Sequence, residues 1–122
     1  MNKPITPRAH GMLDYATAGA TAVLSRALGF SPPAARTASL WAAGYSALSA
    51  LTNYPLALKR AVPFRAHGAM DAMMAPLIPA LPWLLGFARD RRARNFFLGL
   101  AAVTVVVTAL TDWSAEPQGS RA

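Results

Sequence analysis

The chain has 122 residues, 54% of them apolar and 14% charged, with a formal net charge of +7 and no cysteine. A length of this order holds one domain, and the missing cysteines exclude disulfides and thiolate metal sites. The positive charge does not read as a nucleic-acid surface, because no stripe of Lys or Arg interleaved with aromatics runs along any segment.

Charge is almost absent from residues 11–24, 37–58, 68–88 and 96–111, where Asp14 and Asp71 are the only ionisable side chains. We read these windows as membrane spans, for which about 17–25 mainly apolar residues suffice. Residues 96–110 lack the charged face that a soluble bundle helix shows every 3.6 residues. The modest mean hydropathy reflects alanine, which lowers the score while allowing close helix contact.

In chain order, helix 1 is expected from about Gly11 to Phe30. Asp14 near its start, and no cleavage-site pattern, mark it as a retained helix rather than a signal peptide. A turn at Ser31-Pro32-Pro33 leads to helix 2, from about Ala34 to Asn53, and Pro55 and Pro63 bracket a basic connector. Helix 3 runs from about Phe64 or His67 to Phe87, with a kink expected at Pro76, Pro79 and Pro82, which lack a backbone donor. Arg89-Asp90-Arg91-Arg92-Ala93-Arg94 reads as a charged loop, helix 4 runs from about Asn95 to Trp113, and a polar tail follows.

The halves repeat. Arg8-Ala9-His10-Gly11 returns as Arg65-Ala66-His67-Gly68, and each copy is followed three places on by an aspartate, Asp14 or Asp71. At the same spacing Leu24 matches Leu81, and Leu28-Gly29-Phe30 matches Leu85-Gly86-Phe87. After a two-residue slip, Ala50-Leu51-Thr52-Asn53-Tyr54 matches Ala109-Leu110-Thr111-Asp112-Trp113. This is the pattern of a tandem duplication, with repeats at residues 8–54 and 65–113. Two spans per repeat is an even number, so both repeats enter the membrane from the same side, related by a pseudo-two-fold axis along its normal. The expected fold is all-α: a four-helix transmembrane bundle from two tandem parallel helical hairpins, one membrane domain over residues 1–122.

Leu81-Pro82-Trp83-Leu84-Leu85-Gly86-Phe87 resembles the SPW-repeat family of small bacterial membrane proteins. That family repeats a pair of transmembrane helices with a Ser-Pro-Trp signature late in the first. Here the second copy reads Leu-Pro-Trp and the first Ser25-Arg26-Ala27. The resemblance implies a helical-pair repeat in a bacterial inner membrane and supplies no established activity.

This topology gathers Arg8, His10, Asp14, Asn53, Arg65, His67, Asp71 and Asp112 in one layer, at the end holding both termini. His10 and Asp14, like His67 and Asp71, are four apart and stack on one helix face. A carboxylate beside an imidazole fixes its tautomer and raises its basicity, an arrangement used by metal sites and proton relays. The leading reading is structural: the layer locks the two repeats in register without a cofactor, and Asp14 and Asp71 suit the positive ends of their helices. A second reading is a redox protein in which His10, His67, Asp14 and Asp71 hold Zn, Fe or Mn, or the two histidines are axial haem ligands. A third puts the layer at the mouth of an oligomeric channel or transporter. No nucleophile elbow, Walker loop or dinucleotide fingerprint is present, so an enzyme is not the expectation.

The expected partners are the lipid bilayer and a homo-oligomer or membrane-protein partner packed on small-residue faces at Ala16, Gly19, Ala20, Ala43 and Ala47; nucleic acid is not among them. Tyr54, Trp113 and Trp83 read as interfacial anchors, Gly11 and Gly68 as points of close helix approach, and Asn53 as a helix C-cap. Lys3, Arg8, Lys59, Arg60, Arg65 and Arg121 at the termini end balance Arg26, Arg36, Arg89, Arg91, Arg92 and Arg94 at the other. Cytoplasmic termini are favoured because Arg26 falls inside helix 1 and Lys59-Arg60 sit in a short connector.

Overall fold

The computed structural model describes residues 2–117, so Arg121 lies outside the described residues. Four helices follow one another: α1 Pro7–Ala27, α2 Pro32–Leu51, α3 Phe64–Leu84 and α4 Arg91–Leu110. Among the described residues there is no strand, only isolated parallel bridges between Ile5 and Thr111 and between Thr52 and Val62. The fold is an all-helical four-helix bundle.

Three helices begin earlier than polarity alone predicts, and the caps explain it. Thr6 Oγ1 accepts the Ala9 N–H at 3.2 Å, with Pro7 in the first helical position; proline fits there because its missing N–H would have no helical partner anyway. Pro32 starts α2 in the same way, so the Pro-Pro pair is the helix start rather than the turn before it. Asp90 Oδ1 accepts the Ala93 N–H at 3.1 Å, which draws Arg91, Arg92 and Arg94 out of the expected loop into the first turn of α4. The helix α3 remains helical through Pro76, Pro79 and Pro82.

The repeated Leu-Gly-Phe ends α1 and α3 by one device. Gly29 and Gly86 are in the left-handed region, φ +63° and +78°. Phe30 N–H reaches back to Ser25 O at 3.1 Å and Phe87 N–H to Pro82 O at 2.8 Å. This six-residue closure satisfies carbonyls that a helix end leaves orphaned, and glycine supplies it without a Cβ clash. Phe30 and Phe87 are thereby turned into the core.

Backbones approach most closely within each hairpin, α1 against α2 and α3 against α4. At the turn end the hairpins share an apolar core of Phe30, Ala34, Ala38, Ile78, Phe87, Ala93, Phe97, Leu100 and Ala101. At the end near the termini the buried side chains include His10, Thr52, Tyr54, Phe64, His67, Asp71 and Thr111. Short backbone links close that end: Val62 donates to Leu51 O, Asn53 to Val62 O, Ile5 to Leu110 O and Asp112 to Ile5 O. The segment leading into α1 therefore lies on the end of α4, and the segment leading into α3 on the end of α2. Of the four helices, Arg91–Leu110 is the one whose length and composition suffice to cross a membrane, among the described residues.

Asp90 also clasps the two turns together, because its Oδ2 accepts the Ser31 N–H at 2.7 Å. That backbone donor, followed by Ala93 and Arg92, outweighs partial burial and holds the Asp90 carboxyl below the usual carboxylate range. A depressed folded value means that the clasp is fully present above the unfolded pKa and is lost as pH falls through the folded one. Asp90→Ala is expected to destabilise the fold by about 1 kcal/mol, the usual worth of an N-cap. Asp90→Asn keeps the cap but removes the acid-dependent loss below about pH 4. Thermal unfolding of the three proteins between pH 3 and 7 checks both.

Candidate metal centre

Four side chains meet between α1 and α3. His10 Nε2 lies 3.3 Å from Asp14 Oδ1 and 3.1 Å from Asp71 Oδ2. His67 Nε2 lies 2.9 Å from Asp14 Oδ2 and 3.4 Å from Asp71 Oδ2. Each carboxylate thus faces both imidazoles, one on its own helix and one across the bundle. The one-turn spacing on each helix stacks the pair, and the packing of α1 beside α3 crosses the two pairs. One ligand atom from each of the four residues falls within 4.8 Å of the other three. Both imidazoles are fully buried and Asp71 nearly so.

The far side of each ring fixes its proton. His10 Nδ1 is 2.9 Å from Thr111 Oγ1, and His67 Nδ1 is 2.8 Å from Thr52 Oγ1. Each threonine hydroxyl already donates to the carbonyl one turn back, Thr111 to Val107 O and Thr52 to Leu48 O, both at 2.6 Å. A hydroxyl has one hydrogen, so toward the ring it accepts, and Nδ1–H donates. In a neutral ring the Nε2 lone pair is then left facing the carboxylates. Each Nε2 sits at ion-pair distance from both carboxylates, though without the alignment of a formed hydrogen bond. With neutral rings, four electron-rich groups converge here, and a cation is what such a set accommodates.

The donor set is chemically coherent. Two imidazoles and two carboxylates suit Zn, Fe or Mn by ligand type. Metal–ligand distances of about 2.0–2.2 Å put neighbouring ligand atoms about 3.3–3.6 Å apart in a tetrahedron; one ligand atom per residue already lies within 4.8 Å of the others, so small side-chain shifts close the set around an ion. Outer partners hold the carboxylates as well. Tyr45 OH donates to Asp71 Oδ1 at 2.9 Å and Tyr54 OH to Asp14 Oδ2 at 3.2 Å. Haem does not fit. The imidazoles meet edge to face with centroids 5.1 Å apart, and both Nε2 atoms point at the same carboxylates, which leaves no plane between them for a macrocycle.

The other members of the expected polar layer do not join this cluster. Arg8 and Arg65 are exposed, because two residues along a helix turn the side chain about 200° away from the histidine that follows. Asn53 uses its N–H on Val62 O. Asp112 is buried, with Oδ1 accepting from Ser114 N and Oγ at 3.2 and 2.7 Å. It is the preceding residue in each block, Thr52 or Thr111, that reaches a histidine. Those threonines recur in both copies beside the residues singled out, and that recurrence was the available signal. Tyr45 had none.

Tyr54 and Trp113 are not interfacial anchors. Tyr54 is fully buried, and the Trp113 ring packs on His10 and Phe64 with centroids 4.9 and 4.7 Å apart. Gly11 and Gly68 make room for these rings rather than for a neighbouring helix. A Cβ on Gly11 would lie 3.3 Å from the Tyr54 ring, and one on Gly68 would lie 2.9 Å from the Trp113 ring. Trp83 is exposed near the turn end.

No protein-family model, curated protein or solved structure matches the chain. Gly68→Ala is expected to displace Trp113 and destabilise the fold by about 1–3 kcal/mol, the range for overpacking. Gly19→Ala, where a Cβ meets nothing, is expected to stabilise by up to about 1 kcal/mol through helix propensity. Chemical denaturation of both variants against the parent protein measures the contrast.

Proposed function

We propose that this is a membrane protein built from two parallel helical-hairpin repeats whose shared His10–Asp14–His67–Asp71 centre binds a divalent transition-metal ion. The observation carrying the metal reading is the pair of buried Nε2 atoms, each held in place by a threonine that takes the opposite ring proton and each aimed at two carboxylates. Charge balance supports it. Two carboxylates buried without compensation are costly, and one divalent ion neutralises both. The register-locking role belongs to the same site, because the ion's ligands come from both hairpins.

Membrane residence is supported by which side chains face outward. Val23, Leu40, Met73 and Leu84 are 65%, 73%, 68% and 66% exposed, whereas alanines fill the interior. Only 22% of the apolar window in α4 is buried, unlike the core helix of a soluble bundle. Apolar surface on this scale marks contact with lipid or another protein. The repeat reading is supported by helix lengths of 21, 20, 21 and 20 residues and by the matched Thr52–His67 and Thr111–His10 bonds. It accords with the resemblance to the SPW-repeat proteins.

Detergent-purified protein loaded with Zn²⁺ or Co²⁺ is expected to retain one ion per chain after desalting, and the His10→Ala/His67→Ala double variant none. Thr52→Val and Thr111→Val are expected to keep the stoichiometry while weakening affinity about 10–100-fold, the usual effect of removing an outer-shell partner. Folded wild-type protein that takes up no metal overturns the metal reading. Release from membranes by alkaline washing overturns the membrane reading.

A further inference from the structure

A small cavity of about 30 Å³ lies beside the centre, on the carboxylate side. Asp14 and Asp71 line it together with Thr17, Trp41, Tyr45 and Thr104, while His10 and His67 do not. One water-sized molecule needs roughly 10–15 Å³, so the space holds about two or three such units. Its wall is mixed: Leu13, Val103 and Val107 are apolar, Asp14 and Asp71 are acidic, and the buried indole N–H of Trp41 has no acceptor. Trp41 is held by stacking on Tyr45, with centroids 4.7 Å apart and planes 24° apart, and Tyr45 is held by its bond to Asp71.

The cavity arises where the two copies differ. Tyr45 stands seven residues before Thr52, and Thr104 seven residues before Thr111, so each lies two turns along from its threonine on the same helix face. Tyrosine on α2 fills its side and reaches Asp71. Threonine on α4 is too short to do the same for Asp14, and its hydroxyl turns back to Leu100 O at 2.9 Å. Space is left on the side of the centre that the histidines do not cover.

We infer that a further coordination position of the ion opens into this cavity, where a hydrogen-bond-accepting ligand of one to three heavy atoms, such as water, hydroxide or a linear triatomic anion, binds beside Trp41 and Tyr45. The inference rests on the metal reading above and sharpens it: four protein ligands alone make a closed structural site, whereas an ion that also takes a ligand from the cavity is five-coordinate and exchangeable. Thr17 and Val103 line both the cavity and an apolar groove between α1 and α4 that includes Ala20, Phe96 and Gly99, so the two spaces adjoin.

The test uses the Co²⁺-loaded full chain titrated with azide while visible absorption is followed. In the parent protein, azide is expected to change the spectrum saturably as the ion gains a ligand. Thr104→Leu fills the cavity and is expected to weaken azide binding at least 10-fold with Co²⁺ content unchanged, whereas the near-isosteric Thr104→Val leaves it unaltered. Trp41→Phe is expected to weaken it at least about 10-fold, the loss of one hydrogen bond to a charged acceptor. Loaded protein that is silent to azide, or an equal response in the parent, Thr104→Leu and Trp41→Phe proteins, overturns the open position while leaving the metal site standing. Protein that takes up no Co²⁺ fails at the earlier step.

Discussion

Thr52 and Thr111 each own one hydroxyl hydrogen, and in both cases the carbonyl one turn back in the helix takes it. The arrangement of the polar end follows from that. A hydroxyl spent on its own helix can only accept from the imidazole beside it, so Nδ1 carries a proton and Nε2 is turned toward the carboxylates. Each threonine also serves the other hairpin. Thr52 ends α2 and holds His67 of α3, while Thr111 ends α4 and holds His10 of α1. The backbone links through Val62 and Ile5 fix the same two junctions. Neither hairpin alone orients its own histidine, so the centre is a property of the pair.

This division explains what could be read from the chain and what could not. Four apolar windows imply four helices, because hydrophobic patterning reports what a helix face does without needing to know its neighbour. The starts were misjudged because polarity was weighed above capping: Thr6, Pro7, Pro32 and Asp90 begin helices while polar residues are still passing. The histidine–aspartate pairs were legible because their four-residue spacing is local and occurs twice. Arg8 and Arg65 were misplaced by grouping residues by level along the bundle and ignoring angle around the helix. Tyr45, Tyr54 and the threonines act across the bundle on side chains of another helix, information that a single segment does not carry. The buried position of Tyr54 and the packing of Trp113 on His10 follow from Gly11 and Gly68, where the missing Cβ admits a ring.

The two ends of the bundle are built on different principles. At the turn end, Phe30, Phe87 and Phe97 close over alanines, and the packing is apolar. At the other end, aromatic rings enclose charge: Phe64 and Tyr54 sit with centroids 5.8 and 6.5 Å from His10, and Tyr45 and Tyr54 lie 6.2 and 5.7 Å from His67. Such a wall removes water, which strengthens electrostatic interactions inside it and raises the penalty for any charge left unmatched. Four ionisable groups in so dry a setting need a balanced sum, and in the proposed state the ion provides it.

The proposed repeat then becomes informative where it fails. Matched elements keep matched jobs: Leu-Gly-Phe ends both first helices, threonine holds both imidazoles, and an aromatic ring covers both glycines. Each carboxylate receives one tyrosine hydroxyl, but both tyrosines come from the first half of the chain. Asp14 receives Tyr54 from the loop after α2, whereas the matching residue after α4 is Trp113, whose indole N–H goes to Thr108 O at 2.9 Å. Asp71 receives Tyr45, whereas the matching Thr104 bonds back to its own helix. A purely structural clamp between two copies has no need of this difference, since each acid could draw its tyrosine from the matching position. Because both tyrosines come from one half of the chain, open volume is left beside Thr104. That volume, bordered by two potential metal ligands and an unpaired indole donor, is the feature that separates a centre able to exchange a ligand from one that only holds the bundle together.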